Sequence, residues 1–243
     1  MLAAPAAREN ATATQATVFT PGPANLRQPS EQAHNGRLMT RHPTPPVAIL
    51  LAGGLGTRFD AAGRRNKLLA PLPGDPDHRP VALASAHALL AALPRVIAVV
   101  RPDSSELENL LLQAGCEVVM SHATKRGMGA SLSVGVQAGL EAAPAGLEHL
   151  EGWLVALADM PYLKTSTIRA VIDAMGSPDA IVAPRFEGQR GHPVGFGPEH
   201  TAALAALDDD IGARELIRDG HITFVDVDDS GILRDIDTPD DLR

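Results

Sequence analysis

A series of short apolar runs does most to limit what this chain can fold into: VAILLA (47–52), RVIAVV (95–100), CEVVM (116–120), WLVALA (153–158), AIVAPR (180–185) and HITFVDV (221–227). The unbroken ones lack the polar alternation of a half-exposed strand, as expected of strands covered on both faces. Between them lie helical patterns at 80–93, at 105–115 with Gly115 closing the helix, at 127–143, and at 165–176 with Thr165 placed to cap it. Two shorter helical stretches follow, around 199–206 and 211–218, and DTPDDL (237–242) starts a last one with Pro239 in its first turn. Strands alternating with helices predict an open, mostly parallel sheet with helices on both faces, a three-layer α/β/α Rossmann-like fold. Ligands of such sheets bind at the carboxyl ends of the strands, which selects the loops after residues 52, 120, 158 and 185.

The 243 residues, 44% of them hydrophobic, suit one such domain and a tail. Residues 1–45 are rich in Ala, Pro, Thr, Gln and Asn without periodicity. They cannot bury enough apolar surface to offset ordering and are expected to form a disordered extension, with the domain over 46–243. Met39 lies just before the first strand, so the sequence leaves open whether the preceding residues are translated. The formal net charge of -8 argues against a general nucleic-acid binder. One cysteine, Cys116, excludes a disulfide framework and disfavours a Cys-based zinc site. No apolar run approaches the roughly 18 residues of a membrane span. The N-terminus lacks the charged-then-apolar order of a secretory signal, so a cytoplasmic protein without a membrane partner is expected.

Against that acidic background, the segment after the first strand is basic: Gly53, Gly54 and Gly56 are followed by Arg58, Arg64, Arg65 and Lys67. Glycines let backbone N–H groups close around an anion, and Arg58 and Lys67 can add charge-assisted bonds to phosphate oxygens. The P-loop is ruled out because Thr57-Arg58 follows Gly56, and the dinucleotide fingerprint because Phe59 occupies its third glycine. A turn with solvated basic residues is the simpler alternative. Asp159, just past the strand 153–158, is placed either to hold Mg²⁺, a hard ion that takes oxygen ligands, or to shape a turn. In 127–143, Ser131, Gly135 and Gly139 make a narrow small face beside the apolar stripe Met128, Leu132, Val136 and Leu140. Close helix-to-sheet packing accounts for Gly135 and Gly139, but not for the start at Gly127, Met128 and Gly129, whose free N–H groups suit a ligand. Arg190 and His192 stand in the glycine-flanked stretch GQRGHPVGF (188–196). The remaining histidines lack metal-cluster spacing, and Asp208–Asp210 reads as a solvated run.

LAGGLGTRF with NKLL, then RGMGASLSVGV, ALADMP, GQRGHPVGF and DIDTPDDL, in that order and spacing, resemble the molybdenum cofactor cytidylyltransferase group of the MobA-like NTP transferases. The resemblance spans 47–243. It departs at Leu51-Ala52-Gly53-Gly54, where the group commonly has Leu/Thr-Ala-Ala-Gly and where this chain is like the related guanylyltransferases.

The resemblance implies a nucleotidyltransferase fold and transfer of CMP from CTP to the terminal phosphate of molybdenum-loaded molybdopterin, with release of pyrophosphate. It makes Asp159 and Asp237 the Mg²⁺ ligands. Asp235 is a competitor, and a helix N-cap is the other reading of Asp237. It places Leu51, Ala52, Gly53, Gly54, Gly56, Gly127, Met128 and Gly129 on the nucleotide, and Arg190 and His192 on the pterin. Arg58 is assigned to the β- and γ-phosphates, Lys67 to the α-phosphate and entering oxygen, and Arg64 and Arg65 to solvent. A phosphate monoester has its second pKa near 6, so no general base is required. Use of GTP, a sugar or alcohol phosphate acceptor, and a non-catalytic cofactor carrier are the alternatives. A target molybdoenzyme or its chaperone is a further candidate partner.

Overall fold

The computed structural model describes residues 17–19, 44–142, 150–208 and 212–242. Its strands are β1 (Thr17–Phe19), β2 (Val47–Ala52), β3 (Val96–Val100), β4 (Glu117–Met120), β5 (Trp153–Leu157), β6 (Ile181–Phe186), β7 (Gln189–Arg190), β8 (Val194–Phe196) and β9 (Ile222–Asp226). Its helices are α1 (Val81–Leu90), α2 (Ser105–Ala114), α3 (Met128–Glu141), α4 (Thr165–Asp173), α5 (Thr201–Ala205) and α6 (Arg214–Asp219). The sheet runs β1-β4-β3-β2-β5-β8-β6-β7, with β9 on the other side of β6.

The expected α/β architecture is present. β4, β3, β2 and β5 are mutually parallel, and β9 runs parallel to β6. Along β2 the side chains alternate between the faces: Ala48, Leu50 and Ala52 pack with α1, α2 and α4, through Leu89, Leu107 and Ile168. Val47 and Ile49 pack with α3, α5 and α6, through Val136, Leu204 and Ile217. The apolar run therefore fills two cores at once. Gly135 and Gly139 seat α3 directly on the sheet, because an added Cβ would lie 2.6 Å from Ile49 and 2.7 Å from the Trp153 ring, respectively. The packing reading of those two glycines suffices.

Four features differ from the sequence expectation. GQRGHPVGF is not a loop throughout: β7 and β8 both run antiparallel to β6, and β8 inserts antiparallel between β5 and β6. Gly191, His192 and Pro193 interrupt that line, with a cis His192–Pro193 bond. Thr17–Phe19, inside the segment expected to lack structure, pairs antiparallel with β4 at the sheet edge. At α4, Lys164 holds the cap position and makes no side-chain cap, while the Thr165 hydroxyl donates to the Ala88 carbonyl. The C-terminal helix is a single 3-10 turn, Pro239–Leu242. Asp209 and Asp210 lie outside the described residues; Asp208 pairs with Arg126.

Candidate active site

The site is built from three segments beyond the carboxyl ends of β2 and β5. Lys67 opens a 3-10 turn, Lys67–Leu69, whose preceding Asn66 caps it by accepting from the Leu68 N–H. The turn directs Lys67 inward, where it is only 8% exposed. Its Nζ donates to Asp159 Oδ2 at 2.7 Å and to Asp237 Oδ1 at 3.0 Å. Burial opposes the charge on this ammonium, but the Asp159 and Asp237 carboxylates outweigh it and hold the pKa above the ordinary lysine value. Arg58 pairs with the other Asp237 oxygen. The Ile236 N–H donates to the Asp159 carbonyl at 2.8 Å, fastening the two aspartate segments together.

Asp159, Asp235 and Asp237 each offer a carboxylate oxygen, and these oxygens lie within 4.8 Å of one another. Asp159 Oδ1 is buried and has no hydrogen-bond partner. Asp237 does not cap the following turn. Asp241 does so by accepting from the N–H groups of Asp237 and Thr238 and from the Thr238 hydroxyl. Both Asp237 oxygens are thereby left for the cations. Arg64 and Arg65 are exposed, as expected.

The glycine loop is held from two sides. An added Cβ at Gly53 would lie 2.6 Å from Thr124 Cγ2 and 2.8 Å from Thr124 Cβ. Packing against the 3-10 turn His122–Arg126 thus dictates the glycine at the position where the chain departs from Leu/Thr-Ala-Ala-Gly. On the other side Arg101 Nη1 donates to the Gly54 carbonyl at 3.1 Å while its Nε bonds Asp103 at 3.0 Å. Arg101 was not among the expected residues. Its signal is position alone, one residue beyond β3 at the ligand-binding edge of the sheet.

Two adjoining cavities meet here. One, of 490 Å³, is lined by Gly53, Gly54, Thr124, Lys125, Arg126, Gly127, Met128 and Ser131 among others. The other, of 520 Å³, is lined by Ala52, Gly56, Arg58, Lys67, Arg190, His192, Phe196, Arg214, Asp235 and Asp237 among others. Leu51, Gly54, Leu55, Met128, Leu157 and Asp159 border both. Of the expected residues, Gly129 alone lines neither and is buried in the first turn of α3. Ala213, Arg214 and Ile217 of the α6 region join the wall unannounced by any motif.

His192 is held neutral. Burial, then the Arg190 charge, pushes its pKa down to about 4. Its Nδ1 is buried without a partner. Cys116 is fully buried and its thiol is pushed up to about 12 by burial, which removes it as a nucleophile.

A model of the MobA-like NTP transferase domain matches residues 48–224. The chain belongs to this family. Among solved structures, this NTP transferase is similar to Rv0371c from Mycobacterium tuberculosis H37Rv, with a TM-score of 0.67 and 25% identity over 82% of this chain and 96% of that one. A structure of Rv0371c in complex with manganese aligns with a TM-score of 0.64 at 24% identity, over 82% of this chain and 96% of that one. A nucleotidyl transferase from Methanothermobacter thermautotroptrophicus aligns with a TM-score of 0.65 at 23% identity, over 81% of this chain and 94% of that one. A comparison with curated proteins finds no match. No helix among the described residues of the NTP transferase is long and apolar enough to cross a membrane.

Proposed function

We propose that this NTP transferase moves CMP from CTP to the terminal phosphate of molybdenum-loaded molybdopterin and releases pyrophosphate. The observation that carries the reading is the place of the Lys67–Asp159–Asp237 cluster. It stands where the two cavities meet, with Asp159 in the wall of both. A nucleotide in the 490 Å³ cavity and an acceptor in the 520 Å³ cavity would bring their phosphates together there.

The two reacting groups are both anionic, so the site must lower their repulsion and align them. The glycine loop offers backbone N–H groups to the triphosphate. The Arg101 bond supports that role, because it turns the Gly54 carbonyl toward a cation and away from the phosphates. Arg58 and Lys67 reach the phosphates from the same wall. The attacking phosphate is already largely dianionic near neutral pH, and no residue need remove a proton.

The donor set fits a divalent cation such as Mg²⁺. The set is three oxygen donors within 4.8 Å, one carboxylate oxygen of Asp159 being buried and unpaired. Asp159, Asp235 and Asp237 would hold the ion, which when bound spreads the charge of the phosphate oxygens. The case for GTP rested on Gly53, and its contact with Thr124 supplies a packing reason for that glycine whatever the base. The test is pyrophosphate release with each nucleoside triphosphate, Mg²⁺ and molybdenum-loaded molybdopterin. CTP should be preferred, and preference for GTP or for a sugar phosphate acceptor would replace this reading.

A further inference from the structure

We infer that Arg190 and Arg214 bind a second anionic group on the acceptor and so select phosphomonoesters that carry another negative charge. The inference rests on the reading of the 520 Å³ cavity as the acceptor site.

The chain has a formal net charge of -8, so carboxylates are in excess. Most of its described arginines have taken one, as in Arg58 with Asp237, Arg95 with Glu117, Arg101 with Asp103 and Arg185 with Asp226. The Arg190 and Arg214 side chains make no hydrogen bond or ion pair with any described residue, yet both line the same cavity. They come from separate elements, β7 and the start of α6. The cavity therefore carries Arg190 and Arg214 besides Arg58 and Lys67. Val155, Leu157, Val194 and Phe196 supply apolar wall.

Both guanidinium charges act on His192, which lines the same cavity. Burial and then Arg190 push its proton off, and Arg214 adds to the effect, against opposing influences of the Val155 backbone and Asp235. The imidazole stays neutral and adds a hydrogen-bonding edge without adding charge. Two guanidiniums without a carboxylate among the described residues, in a cavity shared with a neutral ring, suit a carboxylate, a phosphate or another compact anion, which arginine binds through paired N–H donors. The complementary acceptor has a phosphate, a flat or apolar body and a second anion. If both arginines were merely solvated, neither would affect acceptor choice.

Calorimetric titration with phenyl phosphate and 4-carboxyphenyl phosphate separates the two possibilities, since the probes share a body and differ in the second anion. Wild type should bind the carboxylated probe about tenfold more tightly. Arg190→Gln and Arg214→Gln should each reduce that preference toward equality. Thermal melting checks that the variants fold, as expected for exposed, unpartnered side chains. Equal affinities in wild type, a preference that survives in both variants, or no binding of either probe in the millimolar range would overturn the inference. Failure of wild type to bind CTP in the same instrument would instead count against nucleotidyl transfer, and the probe ratio would still report on the arginines.

Discussion

Replacing Gly53 by Ala is the substitution whose outcome the structure determines most closely. The added Cβ would lie 2.6 Å from Thr124 Cγ2 and 2.8 Å from Thr124 Cβ, while Ser131 Oγ at 3.6 Å poses no obstacle. Thr124 is only 8% exposed, and its hydroxyl donates to the Ser121 carbonyl at 2.9 Å, so it cannot rotate away without losing that bond. Overpacking of this kind costs about 1–3 kcal/mol. The neighbours Gly54 and Leu55 are exposed, so the glycine loop is the part that can yield. The displacement should therefore appear first in nucleotide affinity, as roughly a tenfold loss for about 1.4 kcal/mol. Thr124→Ser removes Cγ2 and keeps the hydroxyl, so the double variant should recover part of the loss, with a coupling of about 0.5–3 kcal/mol. CTP titration and urea unfolding of the four proteins in that cycle measure both quantities. Unchanged affinity and stability in the Gly53→Ala variant would refute the packing reason for Gly53, as would absence of any rescue by Thr124→Ser.

Lys67→Ala should lower turnover by roughly 10²–10³, the scale of losing one donor to a developing charge, and near-normal kinetics would remove it from the chemistry. Asp159→Asn should abolish pyrophosphate release and weaken Mn²⁺ binding measured by paramagnetic resonance. Its unfolding stability should stay within about 1 kcal/mol of wild type, since the amide oxygen can still accept from Lys67. Full activity and undiminished metal binding in the Asp159→Asn variant would contradict the ligand assignment. His192 is neutral in the folded chain down to about 4 but takes a proton near 6.5 when unfolded, so stability falls as pH drops through that interval. Urea unfolding should show that wild type loses about 1.5 kcal/mol more than His192→Gln between pH 6.5 and roughly pH 5; equal losses would refute the burial of the ring.

The parallel part of the fold was legible because β2, β3 and β5 are buried on both faces and leave unbroken apolar runs, bounded by turns and helical periodicity. β8 was not. Three residues, one of them Gly195, follow a proline and sit among glycines, which is turn composition; their pairing with β5 and β6 comes from across the chain. β1 is hidden for the same reason, since its partner β4 lies a hundred residues away, from Thr17 to Met120 in register. At the site, Arg58 and Lys67 in the basic segment after β2 and Asp159 just past β5 could be picked out one by one, and Asp237 came from the family resemblance. Their mutual contacts could not, because Lys67 reaches Asp159 and Asp237 only after the 3-10 turn and the Ile236–Asp159 bond have set three segments side by side. The capping alternative for Asp237 failed because Asp241, four residues on, reaches back to cap the turn instead. Thr124, Arg101 and Arg214 carry no motif, and each is recognised by what it touches or lines.

The most direct test of nucleotidyl transfer at the Lys67–Asp159–Asp237 cluster is a single assay of pyrophosphate. Wild type and Asp159→Asn are incubated with Mg²⁺ and molybdenum-loaded molybdopterin, and CTP and GTP are supplied separately. Wild type should release pyrophosphate with CTP in an amount matching the nucleotide transferred to the acceptor, and the variant should release none. Pyrophosphate release that is independent of the acceptor, or undiminished in the variant, would contradict the account.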